Sequence, residues 1–130
     1  MNDVDVLADY IETTLDTRVT VADTDIWCTH LHTTEWGMEI FLSDKVLIIA
    51  SLRVHEAVRG QGYGRTIVET LLDFARQDRR AVVAQSVISS AQGFWEQLDF
   101  VPSLAIPDNY IRDGHQILLY GESFAEDTLP

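Results

Sequence analysis

Three groups of residues have the types and spacing to do chemistry. The first is Arg59-Gly60-Gln61-Gly62-Tyr63-Gly64, a glycine cluster between the apolar run Val46 to Val54 and a helical apolar pattern. Glycines permit unusual φ values and let backbone N–H groups come close to an anion. A helix N-terminus adds unpaired donors and partial positive charge, so strand, glycine loop and helix in this order bind phosphate. Spacing excludes two common versions. A dinucleotide fingerprint would need glycine where Arg65 stands, and a Walker loop needs a lysine that does not follow these glycines. The second group is Glu35, Glu39, His30, His32 and Glu56, any of which could act as a general base. Glu39 alternates with Gly37 and Phe41, so it projects from the strand face opposite Met38 and Ile40. The third group is Cys28, His30 and His32 at alternate positions. These residue types suit zinc, but on a strand they span too far for an easy three-ligand site, and no metal is expected.

The elements that must hold these groups follow from periodicity. Val4, Leu7, Ala8, Ile11 and Leu15 recur at helical spacing, so residues 3–15 read as an amphipathic helix with acids in its first turn. Residues 18–22, 26–32 and 36–42 read as strands, and Ser43-Asp44-Lys45 as the turn into an apolar strand over 46–54. That last strand, nearly without polar residues, is expected to be central and covered on both faces. The helix after the glycines carries Ile67, Val68, Leu71, Leu72 and Ala75 on its inner face. A strand over 81–87 and a short helix over 89–98 follow, with Ser89 as the expected N-cap. Phe100-Val101 begins a strand that Pro102 interrupts, residues 103–115 read as a long loop with His115 in it, and 116–120 as the last strand. The fold expected is α/β (α+β): antiparallel strands first, then βαβ units, in a single domain over 1–130 with a frayed tail over 122–130.

The glycine segment resembles the GNAT superfamily of acyl-CoA-dependent N-acetyltransferases. Their signature, [R/Q]-x-x-G-x-[G/A] between an apolar strand and a helix, is met by Arg59 to Gly64 at every defined position, and Leu52-Arg53-Val54 matches the end of the family's fourth strand. Ala91, Phe94 and Phe100 match a later motif, A-x-x-F-Y-x-x-x-G-F, in which Trp95 stands for the usual tyrosine and Asp99 for the glycine. Ile88 stands where an asparagine often occurs. The resemblance covers residues 46–102, and it implies a mixed, mostly antiparallel sheet flanked by helices, with a β-loop-α pyrophosphate-binding unit and a cofactor-binding core over 45–102. It implies acetyl-CoA as acyl donor, held by Leu52, Arg53, Val54, Arg59, Gly60, Gln61, Gly62, Tyr63, Gly64, Arg65, Ala91 and Phe94. The reaction implied is direct attack of a primary amine on the thioester in a ternary complex. Many relatives protonate the leaving thiolate with the tyrosine that Trp95 replaces; indole cannot supply that proton usefully. Glu39 as base and Tyr110 as phenol are the catalytic residues chosen, with Tyr120 a second phenol. The N-terminal part is abbreviated, with one helix before Arg18 where the family has two between its first strands.

Composition bounds the partners. Nine Lys+Arg against 21 Asp+Glu give a net charge of −12, a surface that repels nucleic-acid backbones. Lys45 is the one lysine beside eight arginines, and this acidic, lysine-poor balance fits a halophile's cytoplasm, where salt screens carboxylate repulsion. One cysteine excludes an internal disulfide, the start Met1 to Asp5 lacks a signal peptide's basic and apolar regions, and no apolar run is long enough to span a bilayer. A cytoplasmic enzyme with acetyl-CoA and an amine acceptor as partners is the expectation, with a homodimer as the assembly open to it. Two rivals remain: a GNAT-like module that binds CoA without turnover, and an interaction domain whose glycine turn is structural.

Overall fold

The computed structural model describes residues 3–23, 28–103 and 109–112. In chain order they form α1 (Asp3–Leu15), β1 (Thr20–Asp23), β2 (Thr29–His32), β3 (Trp36–Leu42), β4 (Val46–Val54), α2 (Tyr63–Gln77), β5 (Ala81–Ala84), α3 (Gln92–Gln97), β6 (Val101–Pro102) and β7 (Tyr110–Arg112). The seven strands make one sheet in the order β1-β2-β3-β4-β5-β7-β6. Among the described strands, β4 and β5 are the one pair of neighbours that run parallel, joined through the crossover helix α2. The fold is therefore α+β, with a mostly antiparallel mixed sheet. After the antiparallel strands come two βαβ units, as expected: β4-α2-β5, and β5-α3-β6 with β7 lying between its two parallel strands.

Alternation along the strands sorts their side chains onto two faces. Leu31, Met38, Ile40, Leu47, Ile49, Val82 and Ala84 point to the face where α1, α2 and α3 pack, and there they build the main core with Leu7, Ile11, Ile67, Val68 and Leu71. On the other face Val46, Ile48, Ala81, Val83 and Ile111 form a smaller buried cluster with Phe41 beside it. Val46 through Ile49 are thus buried on both sides, as a central strand requires. Beyond them β4 carries a bulge: Glu39 pairs with Ser51 and Ile40 with Ile49, so Ala50 is the extra residue. A bulge leaves one residue outside the ladder and bends its strand.

Four sequence expectations are corrected. Strand β5 stops at Ala84 rather than reaching 87, because Ser86 takes φ 52° and turns the chain out of line. Ser89 caps nothing; it lies inside a single 3-10 turn, Ser89–Ala91, and α3 begins at Gln92 with no side-chain cap. Residues 110–112 are a strand inside the stretch read as loop, paired with β5 and β6. The strand over 20–23 starts two residues later than its apolar pattern. The expected strand over 116–120, His115 and Tyr120 lie outside the described residues.

Arg80 ties the start of α1 and the 43–45 turn to the end of α2. Its side chain is 6% exposed; Nε donates to the Ser43 carbonyl at 2.8 Å, Nη1 meets Asp78 at 3.0 Å and Nη2 meets Asp3 at 3.2 Å. The guanidinium also lies 5.4 Å from the centre of the Phe74 ring. Both carboxylates are mostly exposed, so the bond to the half-buried Ser43 carbonyl is the one that water replaces least well. Arg80→Met is expected to cost about 1.5–3 kcal/mol, the worth of a charge-assisted bond, lowering the thermal midpoint by roughly 5–10 °C. A melting curve of the purified variant checks it; an unchanged midpoint would assign Arg80 no share in stability.

Candidate functional site

The parallel pairing of β4 and β5 covers only Val46–Ile49 against Ala81–Ala84. One further bond, from the Gln85 N–H to the Ile49 carbonyl at 2.9 Å, closes it. From there β4 runs on to Val54 while the other chain departs, so the strands part like a V. The gap is a cleft of about 480 Å³. Its β4 wall is Ile49 to Val54, its far wall Gln85 to Ile88, and its floor Gly64, Ala91, Phe94 and Trp95. The lining is largely apolar, and among the described residues nothing pairs with β4's second edge along it, which suits an extended arm with amide groups.

At the end of this cleft lies the glycine loop. Gly60 and Gly62 both have φ +83°, the left-handed region that glycine enters without steric penalty. Gly62 is the N-cap of α2; it supplies no side-chain cap, and no acid sits in the helix's first turn. The first intrahelical bond runs from the Thr66 N–H to the Gly62 carbonyl, so the N–H groups before Thr66 have no partner within the helix. A Cβ on either Gly60 or Gly62 would meet nothing within 4 Å among the described residues, which leave the space above the loop open. Gly64 answers to another constraint: a Cβ there would lie 3.2 Å from the Phe94 ring, which rests on the start of α2.

The structure brings together Leu52, Arg53, Val54, Gly64, Ala91 and Phe94 on the cleft, with Gly60 and Gly62 at its end. Arg59 turns back, its Nε donating to the Val54 carbonyl at 2.9 Å, and so braces the loop against the strand. Arg65 points along α2 to Glu69 at 2.6 Å. Gln61 and Tyr63 line a separate hollow with Asp16, Glu35 and Trp36. Trp95 is buried in the cleft floor, with its ring 5.0 Å from both Phe94 and Phe100 in edge-on contacts. Asp99, where the motif has glycine, takes φ 66°, a conformation that aspartate tolerates better than most residues.

The catalytic candidates are less gathered. Glu39 projects from the face opposite Met38 and Ile40; its register neighbours are His30 on β2 and Ser51 on β4. Ser51 lines the cleft, so Glu39 stands one strand away from it. Tyr110 is 6% exposed, packed in the main core, and does not line the cleft. His30 and His32 share a face, with rings 5.1 Å apart, and the His30 ring lies over Gly37. No group of three or more metal-ligating side chains occurs among the described residues. Sequence reasoning missed Ser86 and Asn109. Asn109 is 4% exposed, and its Oδ1 accepts from the Ser86 N–H at 2.8 Å. No local pattern could have joined residues 23 positions apart.

The model of the GNAT acetyltransferase family matches residues 27–100. The chain belongs to that family. No curated protein matches it in sequence. Among solved structures, Escherichia coli ElaA aligns with a TM-score of 0.55 at 16% identity, over 85% of this chain and 87% of its own. Arabidopsis thaliana Naa50, solved with the bisubstrate analogue CoA-Ac-MVNAL, aligns at 0.51 and 16% over 85% and 92%. The anti-CRISPR protein AcrVA5 aligns at 0.54 and 13% over 68% of this chain and all of its own. At these identities the likeness is one of fold. Family membership brings acyl-CoA-dependent acetyl transfer. As this GNAT protein is built, no helix among its described residues is long and apolar enough to cross a membrane.

Proposed function

We propose that the protein transfers an acetyl group from acetyl-CoA to a primary amine by direct attack. One observation carries the reading: the β4–β5 cleft ends on an uncapped helix N-terminus behind two left-handed glycines. The residues fit the donor in kind. Backbone N–H groups from Gly60 to Arg65 would hold the pyrophosphate, and the edge of β4 from Ser51 to Val54 would pair with the pantetheine arm. Acetyl-CoA supplies the thioester. Overall one C–N bond forms and one C–S bond breaks, with the sulfur taking the electron pair and the amine losing a proton.

Neutral amine is scarce near pH 7: a lysine-like pKa of ~10.4 makes its presentation cost ~4.6 kcal/mol. Glu39 is the base we assign, acting through water, since the Ser51 side of β4 separates it from the cleft. The β4 bulge at Ala50 frees backbone near the parting of the strands, where an N–H can polarise the thioester carbonyl. Tyr110, in the core, donates no proton, and the thiolate leaves without a phenol; a thiol pKa of ~8.5 makes it a fair leaving group. In this reading Trp95 shapes the floor and does no proton chemistry.

Two measurements test it. Acetyl-CoA at 100 times its Kd is expected to stabilise the protein by ~2.7 kcal/mol in a thermal shift. Free thiol should then appear when acetyl-CoA and a panel of primary amines are supplied together. Binding without thiol release would leave a CoA-binding module, the reading that Trp95 favours. No shift at all would leave a structural glycine turn.

A further inference from the structure

We propose that Asn109 is a positioning residue for the cleft: its side-chain carbonyl holds the left-handed turn at Ser86 that keeps β5 away from β4. The inference rests on the acyl-CoA reading of that cleft, but its structural half can be measured without any ligand.

Two parallel strands left to themselves continue pairing, and β4 has five residues, Ala50 to Val54, ready to receive a longer β5. Pairing stops because the chain changes direction. Gln85 still donates to the Ile49 carbonyl; the next residue, Ser86, takes φ 52°, and Val87 then drops into the main core at 7% exposure. A serine enters the left-handed region only against steric cost, and Ser86 is itself exposed, so its own packing does not fix it there. What fixes it is the 2.8 Å bond from its N–H to Asn109 Oδ1. Asn109 can serve as a fixed post. It is 4% exposed, its carbonyl accepts from the Ser103 N–H at 2.7 Å, and it immediately precedes β7, whose Tyr110 pairs with Ala84. One buried amide thus links the last pair of the sheet to the first residue beyond it, and the far wall of the cleft begins at that point. Strained backbone persists where its surroundings over-determine it, and it gathers at ligand sites.

The test uses the full chain. Asn109→Leu removes the acceptor at nearly constant size; Asn109→Asp keeps an oxygen facing the N–H. In the wild type the Ser86 amide should be protected from hydrogen exchange. Protection should vanish in Asn109→Leu and persist in Asn109→Asp, with no ligand present. Acetyl-CoA affinity, read by calorimetry, should fall about tenfold in Asn109→Leu and return to within about threefold of wild type in Asn109→Asp, as expected for a lost and a restored acceptor. Adding Ser86→Gly to Asn109→Leu should recover affinity, since glycine takes the turn without help. A folded Asn109→Leu protein that keeps its Ser86 protection or its affinity overturns the proposal. Should that variant fail to fold, Ser86→Val at the exposed position decides: a tenfold loss supports the turn's role, and unchanged binding overturns it. A wild type that binds no acetyl-CoA defeats the acyl-CoA reading separately, and the exchange data still say whether Asn109 holds the turn.

Discussion

Gly62→Val is expected to abolish acetyl-CoA binding while the fold survives. The position has φ +83° and lies at the N-cap of α2, so a β-branched residue there meets backbone strain rather than a neighbour. That strain is about 1–3 kcal/mol, tolerable for a domain of ordinary stability near 5–15 kcal/mol. Binding has no such reserve. The added methyls would occupy the open space above the loop, where the phosphates should approach, and relaxing φ would turn the first N–H groups of α2 away from it. Affinity should drop by more than about 100-fold, the loss of two or more charge-assisted bonds at ~1.5–3 kcal/mol each. Calorimetry with acetyl-CoA, beside a melting curve, reads both halves. Unchanged affinity in a folded variant would remove the glycine loop from the site and with it the acetyl-transfer reading.

The second large effect is a gain. Trp95 occupies the place of the family motif's tyrosine, on the cleft floor between Phe94 and Phe100. Trp95→Tyr keeps an aromatic ring in that stack and adds a phenol to the residues that line the cleft. Acetyl-CoA affinity should stay within about threefold, while turnover with the best amine should rise, by about 10²-fold if the phenol reaches the leaving sulfur, at the low end of general-acid help. The Trp95→Phe variant is the control: same stack, no proton, no gain. If both variants bind acetyl-CoA and both lose turnover, the indole itself shapes the acceptor site, and its reading as a vacated acid position fails.

What the sequence made legible was whatever local periodicity controls. Residues 3–15, 36–42 and 46–54 form the expected helix and strands with the expected bounds, because long apolar alternation or helical spacing leaves little choice there. The order of strand, left-handed glycines and helix was equally legible, since the glycines act through their own backbone. The failures share a cause. Tyr110–Arg112 is only three residues long and flanked by turn-forming residues, so pairing with β5 rather than its own pattern makes it a strand. Ser86 leaves β5 because of Asn109, and Arg80 is buried by Asp3, Asp78 and the Ser43 carbonyl. Each is fixed by at least one partner far along the chain. Catalytic roles were the least legible part: which carboxylate faces the thioester depends on sheet register, and register is non-local for every strand but the hairpin.

Strand β4 is one continuous run of nine residues divided by its bulge. Before Ala50 every side chain is enclosed by protein on both sides; after it every residue borders the cleft. Neighbouring residues of a single strand therefore answer to different masters in evolution. Change at Leu47 or Ile48 is penalised through the amount of folded protein in the cell, whatever the substrate. Change at Ser51 or Arg53 touches that amount less and would be weighed by how well the cleft holds the arm of the donor proposed for it. The bulge is the border between those two regimes, and it lets one half of a strand vary with its ligand while the other half holds the domain together.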